Sequence, residues 1–253
     1  MAEHYSMHDP RTQTNNDVVY SSEMDTYYNS SLGTNMDKLR NFTKFVPRQT
    51  ISNFLAKNEI FKRILCTHGH IVECGVFLGG GLLTWGQLSA IYEPVNHTRR
   101  IIGFDTFSGF VSLNSKDIGD NHVCAKPGGL ATDAYDDITE AIRLYNLNRA
   151  IGHIPRIELV VGNAMNTIPD FVKKNPHLVV AMLYLDFDLY EPTKAAIHSF
   201  LPRMPKGSII AFDELNQAAW PGETQALLEE IGIDKLRIER FPFASAISYA
   251  VLE

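Results

Sequence analysis

Cysteine is scarce in this chain: Cys66, Cys74 and Cys124 are the only three in 253 residues, and none is spaced as C-x-x-C. A disulfide framework or a cysteine-based zinc site is therefore not expected, and a reducing cytoplasmic setting is. No apolar run approaches the ~20 residues that a membrane-crossing helix needs, so no membrane contact is expected. The opening stretch, MAEHYSMHDPRTQTNN, has no apolar core of the kind that marks a secretory leader. Basic charge is not in excess either. The formal net charge is −6, which speaks against a nucleic-acid surface, although a local basic patch or a bound cation could still receive an anionic small molecule. Leucine, isoleucine and valine are thin in residues 1–41, where Asn, Ser, Thr and Tyr dominate. That stretch reads as a flexible arm, either a disordered tail or a segment that orders on a partner subunit or ligand.

Residues 42–253 carry what the arm lacks. FTKFVPRQTISNFLAKNEIFKRIL reads as an extended approach to Pro47 and then a helix, with Thr50 or Ser52 as cap and Ile51, Phe54, Leu55 and Phe61 on its apolar face. A regular alternation follows. HIVECGVF, RIIGFD, PRIELVVGNA, LVVAMLYLDFD and SIIAFDE are short apolar strands, and helices lie between them, one of them near 169–174. KLRIERF and AISYAVLE close the series as sixth and seventh strands, joined so briefly that they should pair antiparallel. The fold class is therefore α/β, Rossmann-like, with a seven-stranded mostly parallel sheet covered by helices on both faces. A long insertion at about 110–155, containing SLNSKDIGDNHVCAKPGG and then a helix through DAYDDITEAIRLYN, reads as a lid.

Ligands in such sheets gather outside the carboxyl ends of the strands. Two acidic clusters stand there. AMLYLDFDLYEPTK sets Asp186 and Asp188 after one strand, and GSIIAFDELN sets Asp213 and Glu214 after another. Converging carboxylates suit a hard cation such as Mg²⁺ or Ca²⁺ better than zinc. The first strand runs into ECGVFLGGG, where Gly75 and Gly79 form E-x-G-x-x-x-G rather than the G-x-G-x-x-G of dinucleotide enzymes. Glu73 would repel a pyrophosphate but could pair with an ammonium or sulfonium, which favours S-adenosylmethionine. Asp105, ending the second strand in GFDTFSGF, could accept the hydroxyls of a ribose. Asn163 and Ala164 could meet the adenine edge, and Gly162-Asn163 is equally an ordinary turn.

Together, ECGVFLGGG, FDTFSGF, LYLDFDLYEPTK, IIAFDE and WPGE resemble the macrocin-type sugar O-methyltransferases, the TylF/MycF group, from Phe42 onward. The resemblance implies a class I methyltransferase that uses S-adenosylmethionine and Mg²⁺ to methylate a sugar hydroxyl. It is nearest to the branch acting on the 3-hydroxyl of a dTDP-linked 6-deoxyhexose. Carried onto this chain, it implies metal ligands Asp186, Asp213 and Glu214, with Asp188 as general base. It also implies donor contacts at Glu73, Gly75, Phe77, Gly79, Asp105, Thr106, Phe107, Ser108, Asn163, Ala164 and Asp186. Where this chain has Asp213-Glu214, family members usually show two aspartates, so Glu214 is the departure from the pattern.

Asp188 is also placed to cap the helix that starts near Glu191, and one residue could do both. His122 and Tyr135 in the insertion are candidates to line the acceptor site, with His122 the catalytic candidate. His153, Tyr184 and His198 read as packing or surface residues. Arg48, Arg99, Arg100 and Lys126 could meet a nucleotide diphosphate or simply solvate a surface. Trp220-Pro221-Gly222 could wall the cation site or make a turn. Partners are expected to be a sugar or nucleotide sugar and further copies of the chain. O-methylation of a finished glycosylated natural product or of a catechol is the near alternative. A non-catalytic nucleotide-binding protein is the alternative of another class, and a nicotinamide oxidoreductase is disfavoured by the missing G-x-G-x-x-G.

Overall fold

A computed structural model describes residues 14–119 and 124–253. The chain divides into two compact units, one up to Ser52 and one from Asn53 to Glu253. In the first, helix α1 (Asn15–Ser30) and helix α2 (Asn35–Arg40) each begin with a capping box. Thr14 and Asp17 cap one, Thr34 and Asp37 the other, through reciprocal side-chain to backbone bonds. The stretch read above as an arm thus carries Thr-x-x-Asp twice, a helix-start signature. Within the same unit Tyr27 stacks on Phe45 at 5.7 Å between ring centroids and Tyr28 meets it edge-on at 5.2 Å.

Helix α3 (Arg48–Arg63) leads into the second unit. It starts before Thr50 and Ser52, which lie inside it rather than capping it. Its buried residues are Ala56, Lys57, Ile60 and Phe61, whereas Phe54 and Leu55 are exposed. The apolar face is therefore rotated from the one the sequence suggests, and it includes a lysine.

The sheet has seven strands: β1 (His70–Cys74), β2 (Ile101–Asp105), β3 (Ile157–Val161), β4 (Val180–Leu185), β5 (Ile209–Phe212), β6 (Glu239–Phe241) and β7 (Ala244–Val251). Their order is β3-β2-β1-β4-β5-β7-β6, with β7 antiparallel to both neighbours and every other pair parallel. All six residues of β4 are buried, as a strand covered on both faces requires. The covering helices are α4 (Gly80–Tyr92), α5 (Tyr135–Leu147), α6 (Ala164–Lys174), α7 (Tyr190–Phe200) and α8 (Pro221–Glu230). Two apolar clusters result. One gathers Phe61, Trp85, Ile138, Tyr145 and Tyr184, the other Phe104, Phe171, Phe200 and Phe212.

Two details depart from the sequence reading. Helix α6 starts five residues before Pro169, because Asn163 caps it by accepting from the Met165 amide at 3.0 Å; Pro169 is carried inside. Helix α5 belongs to the core, with Ile138 and Tyr145 buried and the Tyr145 hydroxyl donating to the Gly86 carbonyl at 2.9 Å. From Tyr135 onward the long insertion is thus a layer of the fold. No helix among the described residues is long and apolar enough to cross a membrane.

Candidate active site

Strand order reverses between β1 and β4, and in open α/β sheets ligands gather outside the carboxyl ends of the strands at such a point. The two ends touch. Gly75 has φ +97°, and a Cβ there would stand 1.9 Å from the Asp186 carbonyl oxygen. The Asp186 amide donates to the Cys74 carbonyl at 2.8 Å, and the Asp213 amide to the Leu185 carbonyl at 3.1 Å, so β1, β4 and β5 continue in register into the site.

On the β1–β2 side, Asp105 works on the backbone. Its Oδ2 accepts from the Val76 and Phe77 amides at 2.7 and 2.8 Å, and its Oδ1 from the Phe107 amide at 2.7 Å. The carboxylate expected to face a ribose thereby ties the glycine turn to its own turn. Phe77 and Phe107 sit at φ 52° and 55°, a conformation that non-glycine residues hold only when neighbours fix it. The Thr106 hydroxyl donates to the Gly109 carbonyl at 2.7 Å and accepts from the Ser108 amide at 3.2 Å, closing that turn. Ala164 is buried at the start of α6. No heavy atom lies within 4 Å of where a Cβ on Gly80 would stand, so the head of α4 faces open space. Helix dipole and room together suit an anionic end of a donor molecule. Gly79 is used differently: at φ +83° it lets Ile138 approach within 2.9 Å of its missing Cβ.

Glu73 does not face this space. Only 1 % exposed, its Oε1 lies 3.6 Å from Lys57 Nζ and accepts from Trp85 Nε1 at 3.3 Å. Lys57 Nζ also stands 4.1 Å from the centroid of the Tyr184 ring. Gly81 makes room for the pair, since a Cβ there would lie 2.0 Å from Glu73 Oε1. An ion pair with the donor is thus replaced by one inside the core. Burial pushes the Glu73 carboxyl up to about 7, against the pull of Lys57. A carboxyl raised from 4.5 favours folding most when protonated, so its contribution is full below pH 4.5 and is lost as pH rises through 7. Glu73→Gln should therefore flatten the pH dependence of stability between pH 5 and 8, by about 3 kcal/mol relative to the parent. Urea melts of both proteins across that range test this; parallel curves would reject it.

The acidic residues do converge. Oxygen atoms of Asp186, Asp188 and Glu214 all lie within 4.8 Å of one another. Asp188 thus stands in this group of three where Asp213 was expected; Asp213 Oδ1 accepts instead from the Tyr184 hydroxyl at 2.5 Å. Tyr184 is thereby more than packing. Burial, and after it the charge of Asp213, holds Asp186 and Glu214 well above the usual carboxylate range and brings Asp188 to about 7. Glu214 Oε2 is buried with no hydrogen-bond partner among the described residues. Crowded acids with an orphaned oxygen form an arrangement that a hard divalent cation would relieve, so the residues fit one.

Asp188 is 8 % exposed and holds φ +62°. It does not cap α7, whose N-cap is Leu189 with no side-chain bond. The Tyr190 amide donates instead to Asp117 Oδ1 at 2.6 Å. Asp117 is 1 % exposed and comes from the insertion, where Asn114 and Asp117 form a capping box of their own. That Asn-x-x-Asp spacing was the available signal for it. Glu223, the last residue of WPGE and buried in α8, is the other acid at this end of the sheet, and its place in a helix's first turn does not announce it.

The remaining candidates disperse. His122 lies outside the described residues. Tyr135 meets the Phe107 ring edge-on at 5.8 Å. Trp220 is buried against Phe110, 5.6 Å between centroids, in a small cluster with Leu189. Arg99 is buried in an ion pair with Glu93, and Arg100 pairs with Glu158 at 2.6 Å, so both serve the fold. His198 reaches Glu230 at 3.6 Å, and His153 and Lys126 are exposed.

Among family models, that of the macrocin O-methyltransferases (TylF) matches residues 33–229. A crystal structure of CalS11, described as a calicheamicin methyltransferase, is 31% identical, covers 96% of each chain and superposes with a TM-score of 0.90. Its apo structure, described as a TDP-rhamnose 3'-O-methyltransferase, gives 31% identity, 96% of this chain, 99% of that one and a TM-score of 0.82. The O-methyltransferase NovP shares the fold at 18% identity, 80% of each chain and a TM-score of 0.62. Comparison with curated protein sequences returned no match.

Proposed function

The chain belongs to the TylF macrocin O-methyltransferase family, and from that premise we propose a cation-assisted methyl transfer from S-adenosylmethionine to a sugar hydroxyl. The acceptor we propose is the 3-hydroxyl of a dTDP-linked 6-deoxyhexose. The observation that carries the reading is the carboxylate group at the ends of β4 and β5, set beside the glycine turn of β1 in a chain 31% identical to CalS11 over 96% of its length.

When bound, the donor supplies an electrophilic methyl group, and a divalent cation lowers the pKa of a neighbouring sugar hydroxyl. Asp186, Asp213 and Glu214 would hold the cation. Asp213 is included because the family pattern implies it, and its charge is felt by Asp186, Asp188 and Glu214 alike. Asp188 would accept the proton. Burial and the Asp213 charge raise its carboxyl, in the direction that neutral-pH base catalysis needs. The open head of α4 would receive the donor's carboxylate, while the Asp105-tied turns hold Phe77 and Phe107 beside it.

Mass spectrometry of products from a panel of dTDP-sugars, glycosylated natural products and catechols tests the assignment. Methylation of a dTDP-6-deoxyhexose that stops with EDTA and returns with Mg²⁺ is the expected result. Activity indifferent to chelation would remove the cation, and activity on catechols alone would remove the sugar.

A further inference from the structure

The first turn of α8 is wedged between the two loops that carry the acidic group. On one side, a Cβ on Gly222 would lie 2.2 Å from Asp117 Oδ1 and 2.5 Å from the Tyr190 amide nitrogen. That is the turn that begins at Asp188. On the other side, Glu223 Oε1 accepts from the Glu214 amide at 3.0 Å, and Thr224 Oγ1 accepts from the Asn216 amide at 3.0 Å. Asn216 holds φ +64°, so the loop after β5 leaves its strand sharply and has two amides turned toward α8. Glu223 is 0 % exposed, and its Oε2 has no partner among the described residues. Burying a carboxyl group with one oxygen unpartnered is costly, so the bond to the Glu214 amide is the contact that accounts for its place here.

We infer that Glu223 is a positioning residue, which aims the Glu214 carboxylate at the cation by fixing the Glu214 backbone, with Thr224 holding the loop two residues on. The inference rests on the cation reading given above. Glu223 itself lies outside the set of oxygens within 4.8 Å of one another, so it acts through Glu214. Outer carboxylates of this kind typically matter about 10–100-fold in metal affinity.

Titration calorimetry with Mn²⁺ alone, on the full chain without donor or acceptor, separates the possibilities. Glu223→Met, which removes the acceptor, should weaken Mn²⁺ binding by about 10–100-fold. Glu223→Gln keeps a carbonyl oxygen for the Glu214 amide and should restore affinity to within a few-fold of the parent. Thr224→Val should fall between them. Parent-like affinity in Glu223→Met would overturn the inference, as would Glu223→Gln binding as weakly as Glu223→Met, which would make Glu223 a ligand. If Glu223→Met does not fold, Thr224→Val decides: unchanged affinity there overturns the positioning role. No Mn²⁺ binding by the parent would instead remove the cation reading, and the inference with it.

Discussion

Asp188→Asn should lower kcat by about 10²–10⁴-fold, the usual contribution of a general base. Mn²⁺ affinity should stay within a few-fold of the parent. Asparagine tolerates the left-handed backbone that position 188 adopts, at φ +62°, and so removes basicity without moving the loop. The pH profile supplies the second readout. Burial and the Asp213 charge raise the Asp188 carboxyl, so in the parent kcat/KM should fall as pH drops through about 7 or, with a cation bound, through a lower value. That limb should vanish in the variant. Asp213→Asn should do the reverse and lose Mn²⁺ affinity first. If Asp188→Asn loses the metal and Asp213→Asn keeps it, the two roles exchange. The close grouping of Asp188 with Asp186 and Glu214 makes that the informative failure.

Gly75→Ala should destabilise the protein by about 4–5 kcal/mol or leave it insoluble, at the upper end of single-residue effects. Two causes add. The residue holds φ +97°, and the new methyl would stand 1.9 Å from the Asp186 carbonyl oxygen and 2.7 Å from its carbon, neither of which is a flexible side-chain end. The ends of β1 and β4 would have to separate, taking the Asp186 turn with them. Gly80→Ala is the control five residues on. It meets nothing within 4 Å and sits in a helix, so it should be neutral or stabilise by up to ~1 kcal/mol. Thermal melts of the two variants side by side test the contrast. Equal melting temperatures would mean that the β1–β4 contact gives way more easily than its geometry allows.

That contrast also shows what the sequence could and could not convey. A glycine run after an apolar strand announces a turn near a ligand, yet ECGVFLGGG does not say which glycine serves what. Gly75 lies against β4, Gly79 against Ile138, Gly80 against nothing and Gly81 against the Glu73–Lys57 pair. Period and length were enough to place all seven strands and the antiparallel pairing of the last two, because burial on both faces leaves a continuous apolar run. Strand-end carboxylates followed from that placement. What stayed hidden were partners far apart in the chain. Asp105 spends one oxygen on amides 28 and 29 residues earlier, and Asp117 reaches an amide 73 residues later. Glu73 looked like a ligand-facing charge because nothing in its neighbourhood reveals a lysine on α3. Helix α5 itself was legible in DAYDDITEAIRLYN, but its place in the core was not, because the long loop before it made core and insertion look like one piece.

The position of β7 has a consequence for how the protein is made. Until β7 arrives, β5 is the outer strand of the parallel sheet, and Ile209 must wait for Val251 to be translated before it finds its partner. During synthesis the emerging polypeptide therefore has β5, Ile209–Phe212, paired with β4 on one side only, its other edge open immediately before Asp213 and Glu214. Such an edge recruits other chains. Slower translation through residues 213–243 should lengthen that exposure and lower the soluble yield.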